Sequence, residues 1–280
     1  MFEIAKREMV VPNMHRMDIV APLIASKVKP GQFVLIIPDE NGERVPFTVS
    51  DWDVEKGIIS VFFQEVGVST MKMAAMKGGQ FLYAVVGPLG KATEIDNFGT
   101  VLLGGGCYGI GSIYPIARAM KEAGNRVISV VEGRSLYVIY NIEQLKEVSH
   151  ELIITTSDGS SGFQGKVYDA VEMLLERNEQ IDRAHFIGCT FMMMISSDKT
   201  KDKGIKTVVT LNALMVDGTG MCGCCRVSVG GETKFVCVDG PEFDGHEVDW
   251  KELFQRNGIY ISDESMAYMH FTCKQEKEGT

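Results

Sequence analysis

The first 97 residues are built from short apolar runs bounded by Pro, Gly, Asp and Asn. Gln32-Phe33-Val34-Leu35-Ile36-Ile37, Ile58-Ile59-Ser60-Val61-Phe62-Phe63 and Phe81-Leu82-Tyr83-Ala84-Val85-Val86 each have strand length. Their spacing predicts an antiparallel barrel or sandwich. Between the second and third runs, Ser69 to Met76 predicts a short helix that opens on two hydroxyl residues and stops at Gly78-Gly79.

The pattern changes near Asn97. Thr100–Leu103 reads as a buried strand running into a Gly-rich loop, Gly104 to Gly111, and then an amphipathic helix from Ile113 to Glu122. The strand Val127–Val131, a helical stretch near Ile142–Lys146, the strand Leu152–Thr155, the helix Val167–Arg177 and the strand Ala184–Ile187 follow. Such alternation predicts a parallel sheet with helices on its faces over residues 98–210. Beyond it lies a Gly- and Cys-rich segment with a hairpin signal at Arg226–Glu232, then one tail helix, Asp249–Arg256. The expected division is 1–97, 98–210 and 211–280, a β + α/β protein with a small C-terminal unit.

Charge narrows the partners. There are 37 acidic and 28 basic side chains, a formal net charge of −9. Phosphate-backbone binding is driven by Lys and Arg, so no nucleic-acid partner is expected. No apolar run reaches the ~18 residues of a membrane span. The start, Met1 to Glu8, shows no signal-peptide core or cleavage site, and a cytoplasmic location is expected.

Cysteine usage points to one segment. Four of the seven cysteines, Cys222, Cys224, Cys225 and Cys237, crowd together. In a reducing compartment that reads as metal or redox chemistry rather than disulfides. Cys222, Cys225 and Cys237 give C-x2-C-x11-C; a plant-type [2Fe–2S] site adds a first ligand five residues earlier. That position is Asp217, whose anionic oxygen can replace a thiolate. Gly218, Gly220 and Gly223 let the backbone wrap closely. On spacing alone a zinc site that draws on Cys224, or a small core of reduced cysteines, stays open.

Other signals concern phosphates. Arg44-Val45-Pro46-Phe47-Thr48-Val49-Ser50 can aim a guanidinium and hydroxyls from alternate strand positions into one groove, and an ordinary surface strand reads the same way. Gly67-Val68-Ser69-Thr70 opens the short helix, where backbone N–H groups favour an anion, although a plain N-cap also explains Ser69. Gly104-Gly105-Gly106, Asp158-Gly159-Ser160 and Gly188-Cys189 each follow a predicted strand. They therefore fall on the carboxyl edge of the sheet, where open α/β folds bind ligands.

These pieces occur in a recognisable order. R-x-P-F-T, G-x-S-T, Gly87-Pro88-Leu89-Gly90, a Gly-rich loop and a D-G-S loop precede Asp217-Gly218-Thr219-Gly220-Met221-Cys222-Gly223 and Cys237-Val238-Asp239-Gly240-Pro241-Glu242-Phe243-Asp244. Over nearly its whole length the sequence resembles the ferredoxin–NADP reductase superfamily. More closely, it looks like the small subunits of NADH-dependent reduced ferredoxin:NADP oxidoreductase, also described as sulfide dehydrogenase beta subunits, and it is also similar to dihydroorotate dehydrogenase B electron-transfer subunits. The aspartate favours the former, because the latter use four cysteines.

The resemblance implies an FAD-binding barrel, an NAD(P)-binding α/β domain and a [2Fe–2S] domain. It places FAD against Arg44, Pro46, Phe47, Thr48 and Ser50, with its pyrophosphate at Gly67, Ser69 and Thr70. NAD(H) or NADP(H) is expected over Gly104, Gly105, Gly106, Asp158, Gly159, Ser160 and Gly188, and iron on Asp217, Cys222, Cys225 and Cys237. Two departures touch the nucleotide site: Cys107-Tyr108-Gly109-Ile110-Gly111-Ser112 replaces a V-G-I-A-P run, and Cys189-Thr190-Phe191-Met192-Met193-Met194 follows Gly188.

The implied function is an electron-transfer subunit of a flavin iron–sulfur oxidoreductase. Electrons pass between NAD(P)H, FAD and the cluster to or from a larger flavin and iron–sulfur subunit, in a setting of flavin-based bifurcation. Thr48 and Ser50 are candidates for contact with the flavin ring. The chemistry belongs to the cofactors, no side chain is assigned as catalytic acid or base, and the five histidines are scattered. An acidic chain is a poor direct docking partner for acidic ferredoxin, so ferredoxin is expected on the partner. The alternatives are a dihydroorotate dehydrogenase B type complex and a redox-sensing adaptor without nucleotide turnover.

Overall fold

A computed structural model describes residues 1–278. The first region contains β1 (Phe2–Val11), β2 (Met14–Val20), α1 (Pro22–Ala25), β3 (Phe33–Ile37), β4 (Val45–Asp53), β5 (Ile58–Gln64), α2 (Val68–Ala75), β6 (Phe81–Leu82) and β7 (Ala84–Leu89). Its seven strands run in the order β6-β1-β2-β5-β4-β3-β7. The single strand expected over 81–86 is two. β6 pairs with β1 at one edge, the chain bends at Tyr83, and β7 pairs with β3 at the other edge. Consecutive strands thus join opposite edges and nearly close the antiparallel barrel, which leaves little free edge.

Strand β3 is buried at every position. Val34 and Ile36 face the barrel core with Met17, Val49 and Phe63. Phe33 and Leu35 face the other way, into a core shared with Cys225, Val227, Val236 and Cys237. Burial on both faces explains why its sequence is an unbroken apolar run rather than an alternation.

The second region holds β8 (Thr100–Gly106), α3 (Gly109–Glu122), β9 (Arg126–Gly133), α4 (Ile142–Val148), β10 (Glu151–Thr156), β11 (Phe163–Gln164), α5 (Val167–Glu176), β12 (Arg183–Ile187), α6 (Thr190–Lys201) and β13 (Lys206–Thr210). Strands β8 to β13 are parallel, in the order β11-β10-β9-β8-β12-β13. Helix α3 buries Ile110, Ile113, Ile116 and Met120 on one face of the sheet. Val167, Val171 and Leu174 of α5 and Met192 and Met193 of α6 cover the other.

Helix α3 also joins the sheet to the barrel. Phe62 of β5 packs in the α3 core and lies 4.8 Å, centroid to centroid, from Tyr140. Arg118 donates to Asp51 at 3.1 Å and sits 5.2 Å over the Trp52 ring.

The third region comprises β14 (Arg226–Val229), β15 (Glu232–Phe235), α7 (Val236–Asp239), β16 (Glu242–Asp244), α8 (Trp250–Asn257) and α9 (Ile261–Glu278). The hairpin forms where expected, between β14 and β15. Two features go beyond the sequence reading. Strand β16 adds antiparallel to β13, so the cysteine-rich segment extends the central sheet. The tail carries a second helix, α9, of 18 residues. Among the described residues no helix is long and apolar enough to cross a membrane.

Candidate redox site

Arg44 lies just before β4 and is exposed; along the strand Pro46 and Thr48 are half-buried while Phe47 and Val49 turn into the barrel. Phe47 packs edge-on to Phe63, centroids 6.0 Å apart, so any contact it makes outside the barrel is through its backbone. A register shift between Val49 and Asp51 marks a bulge at Ser50. Ser50 is 1% exposed and donates to the Thr48 carbonyl at 3.4 Å. Bulges re-aim side chains in this way beside binding sites.

Gly67 precedes α2, with Ser69 and Thr70 buried in its first turn. The Thr70 hydroxyl accepts from the Val66 and Gly67 amides, both at 3.1 Å, and donates to the Gly67 carbonyl. It therefore braces the helix start, which leaves the first-turn amides, without intrahelical partners, to face outward. No heavy atom lies within 4 Å of where a Cβ on Gly67 would sit. Residues 66–70 line a cavity of about 670 Å³.

The four proposed iron ligands meet in two pairs, Asp217 and Cys222 through a main-chain N–H and Cys225 and Cys237 through their sulfurs. Asp217 accepts from the Thr219 amide at 2.8 Å and the Cys222 amide at 2.7 Å. The Thr219 N–H first, then that of Cys222, holds its carboxyl below the usual range. Cys225 and Cys237 are buried with their sulfurs 3.2 Å apart. Burial first, and then the facing Cys225 thiol, pushes the Cys237 thiol up.

Amide-to-sulfur hydrogen bonds are already present, Cys224 N–H to Cys222 Sγ and Cys237 N–H to Cys225 Sγ, each at 3.4 Å. Among the described residues no three His, Cys, Asp or Glu side chains converge as a single-ion site. The N–H groups directed at the Cys222 and Cys225 sulfurs suit the thiolates of an iron–sulfur cluster. Cys224 stands beside the pairs, and its carbonyl accepts from Arg256 of α8 at 2.9 Å, a support that the sequence did not announce.

The cluster loop rests on the barrel. Arg44 donates to the Val216 carbonyl at 3.3 Å. A Cβ on Gly218, whose φ is +75°, would come within 2.7 Å of Leu35 and 2.9 Å of Leu89, so only glycine lets the loop lie this close to β3 and β7. Gly87, Pro88 and Leu89, expected as a loop, belong to β7, and just beyond it Lys91 N–H donates to the Gly240 carbonyl at 2.7 Å, so the barrel also meets the segment after Cys237.

On the parallel sheet Gly104, Gly105 and Gly106 belong to β8 itself rather than to a loop. A Cβ at Gly104 would meet Phe186 and Val167, and one at Gly105 would meet the α3 backbone, so these two glycines serve helix–strand packing. The turn is Cys107-Tyr108, with Cys107 at φ +51°. The chain order reverses between β8 and β12, and there the Tyr108 hydroxyl donates to the Gly188 carbonyl at 2.6 Å. Tyr108 thus spans the switch-point crevice where open α/β sheets take ligands.

Asp158, Gly159 and Ser160 stand at the β10 end of that edge. Asp158 accepts from the Ser160 amide at 2.9 Å, Gly159 is left-handed at φ +73°, and the Ser160 and Ser135 hydroxyls are 3.1 Å apart. The structure therefore gathers Arg44, Thr48, Gly67 and Ser69 along the barrel, the iron-ligand pairs against β3 and β7, and the nucleotide candidates on one sheet edge. The histidines form no group. His15 stacks on Phe63 and hydrogen-bonds Glu65, whereas His185 is buried beside Arg183.

Known proteins share this fold. Residues 212–249 match the model of the iron–sulfur cluster binding domain of dihydroorotate dehydrogenase B. A Thermotoga maritima homologue of the dihydroorotate dehydrogenase B (NAD(+)) electron transfer subunit is 42% identical over 96% of this chain and 95% of its own. The corresponding subunit of Shouchella clausii is 27% identical over 88% of this chain and 96% of its own. A chain from the NADH-dependent reduced ferredoxin-NADP oxidoreductase structure, solved for insights into flavin-based electron bifurcation, superposes with a TM-score of 0.92 at 42% identity, covering 96% of this chain and 97% of that one. With a ferredoxin reductase-like fold and an iron–sulfur binding segment in place, this chain belongs to the family of dihydroorotate dehydrogenase B electron transfer subunits and their homologues, electron-transfer subunits of flavin iron–sulfur oxidoreductases.

Proposed function

We propose that this chain is the small subunit of a heteromeric oxidoreductase and carries electrons between NAD(P)H, FAD and a [2Fe–2S] cluster to or from a larger flavin and iron–sulfur subunit. The observation that carries the reading is the seating of the cluster loop on the barrel, with Arg44 bonded to the residue before Asp217. FAD supplies the exchange between two-electron nucleotide chemistry and one-electron transfer, and the cluster supplies a one-electron carrier.

In this reading each segment has a task. Residues 1–97 hold the flavin: Arg44 and the Val68 and Ser69 amides of the Gly67–Thr70 turn neutralise its pyrophosphate, while Thr48, and Ser50 at its bulge, border the ring. Residues 98–210 hold NAD(H) or NADP(H) at the crevice beside Tyr108, Gly188 and Asp158–Ser160. Residues 211–280 hold iron, with Asp217 and Cys222 on one metal and Cys225 and Cys237 on the other. The buried pair excludes water, and the amides facing Cys222 and Cys225 stabilise negative charge on sulfur. Seven free cysteines suit a reducing, cytoplasmic setting.

A partner follows from the electron count, since the chain must pass on what it receives. With a net charge of −9 it repels an acidic ferredoxin, which would dock on the larger subunit in a bifurcating complex. A dihydroorotate dehydrogenase B type partner is the second reading, favoured by the domain match at 212–249. Anaerobic purification of the native complex tests both. A co-purifying flavin and iron–sulfur subunit supports the first, an orotate-binding subunit the second, and a partner with no redox group contradicts both.

A further inference from the structure

The cavity of about 670 Å³ beside α2 is bounded on its far side by α9, the tail helix that has no place in the reading above. Its lining includes a cradle for an anion: the Gly67, Val68 and Ser69 backbone at the α2 start, with open space beside Gly67. The rest of the lining has a different chemistry. Tyr268 and Met269 of α9 present aromatic and apolar surface, and Glu264 and Glu43 contribute carboxylates. Carboxylates repel phosphate but accept hydrogen bonds from sugar hydroxyls. Tyr268 is 40% exposed, Met269 55% and Ile261 59%, apolar surface on the cavity wall with little cover from the chain.

A ligand that matches this lining carries an anionic group, hydroxyls and a flat ring. We propose that α9 is the wall of the flavin site that receives the adenosine half of FAD, with Tyr268 against the adenine and Glu264 accepting from the ribose hydroxyls. The inference rests on the flavin reading of Arg44 and Gly67–Thr70. It adds a consequence that the reading alone lacks: α9 makes the site choose FAD over FMN, because FMN ends at its phosphate and reaches none of these residues. Aromatic stacking on a nucleobase is sequence-tolerant and strong enough to register on removal of the ring.

The test is flavin titration of the deflavinated full-length chain, read by fluorescence quenching with FAD and with FMN. Tyr268→Ala is expected to weaken FAD binding about tenfold or more and to leave FMN binding unchanged, while Tyr268→Phe retains wild-type affinity for both. A chain ended after Tyr260 is expected to bind FAD no better than FMN. Wild-type FAD affinity in Tyr268→Ala overturns the proposal, as does equal loss of FAD and FMN. So does a shortened chain that keeps FAD and loses only the larger subunit, which would make α9 a subunit-docking helix. A wild-type chain that takes up no flavin removes the flavin reading itself, and this proposal with it.

Discussion

The guanidinium of Arg44, at the entrance to β4, donates to the main-chain carbonyl of Val216 at 3.3 Å, across 172 positions of sequence. Val216 is the residue before Asp217, so one side chain on the barrel rim fixes the start of the cluster loop. In the proposed site the same guanidinium serves the flavin pyrophosphate, and the two redox groups become mechanically linked. Arg44→Lys keeps the charge and loses the planar fork. It is expected to weaken FAD binding about tenfold and also to shift the cluster's EPR line shape, since hydrogen bonds involving a charged group contribute about 1.5–3 kcal/mol. Loss of FAD affinity with an unaltered cluster signal would sever the link.

Tyr108 closes the switch-point crevice through its bond to the Gly188 carbonyl, and burial pushes its phenol well up, so it stays a donor. A nicotinamide entering there must displace that bond. Tyr108→Phe removes about 0.5–1.5 kcal/mol of anchoring. A several-fold lower KM for the nucleotide is expected, with flavin affinity unchanged. A raised KM would show that the hydroxyl holds the nucleotide instead.

Gly111 stands where α3 meets the barrel, and its amide donates to the Tyr140 hydroxyl at 3.1 Å. A Cβ there would intrude into the Phe62 ring. Gly111→Ala is expected to destabilise the chain by about 1–3 kcal/mol through overpacking, measured as a lower denaturation midpoint. Gly204→Ala is not its control, because Gly204 is left-handed at φ +67°, whereas Gln144→Ala on the exposed face of α4 is.

Glu242 of β16 accepts from the Thr93 hydroxyl at 2.6 Å and lies near Arg183 and Glu94. Burial pushes its carboxyl from the ordinary 4.5 up to about 7, with Thr93 and Arg183 only partly opposing. Between those values the folded chain binds the proton that the unfolded chain has released. Its contribution is therefore full below about 4.5 and lost as pH rises through about 7. Glu242→Gln is expected to flatten stability over that window, measured by denaturation at a series of pH values. An unchanged slope would place the titration elsewhere.

The cluster was the most legible part of the sequence because its four candidate ligands lie between positions 217 and 237 and their spacing is local. The order of strands and helices was legible for the same reason, each being set by a short period. What escaped depends on distant partners. The run 81–86 is apolar throughout, and only the opposite pairings with β1 and β3 break it at Tyr83. Strand β16 gains its role from β13, more than thirty residues away. The apolar residues of α9, Ile261, Met266, Tyr268 and Met269, follow no clean helical stripe, since most of that helix stays exposed. Gly104–Gly106 suggested a phosphate loop because sequence does not distinguish a glycine that meets a ligand from one that meets a helix.

In the proposed route, electrons from a pyridine nucleotide reach the cluster through the flavin within this one chain. The most direct measurement is anaerobic addition of NADH or NADPH to the chain loaded with FAD and iron, with flavin absorbance and EPR read on the same samples. The expected result is bleaching of the flavin band together with a one-electron [2Fe–2S] signal, which Asp217→Cys shifts without loss of iron. A flavin and a cluster that both remain oxidised under either nucleotide would contradict that route.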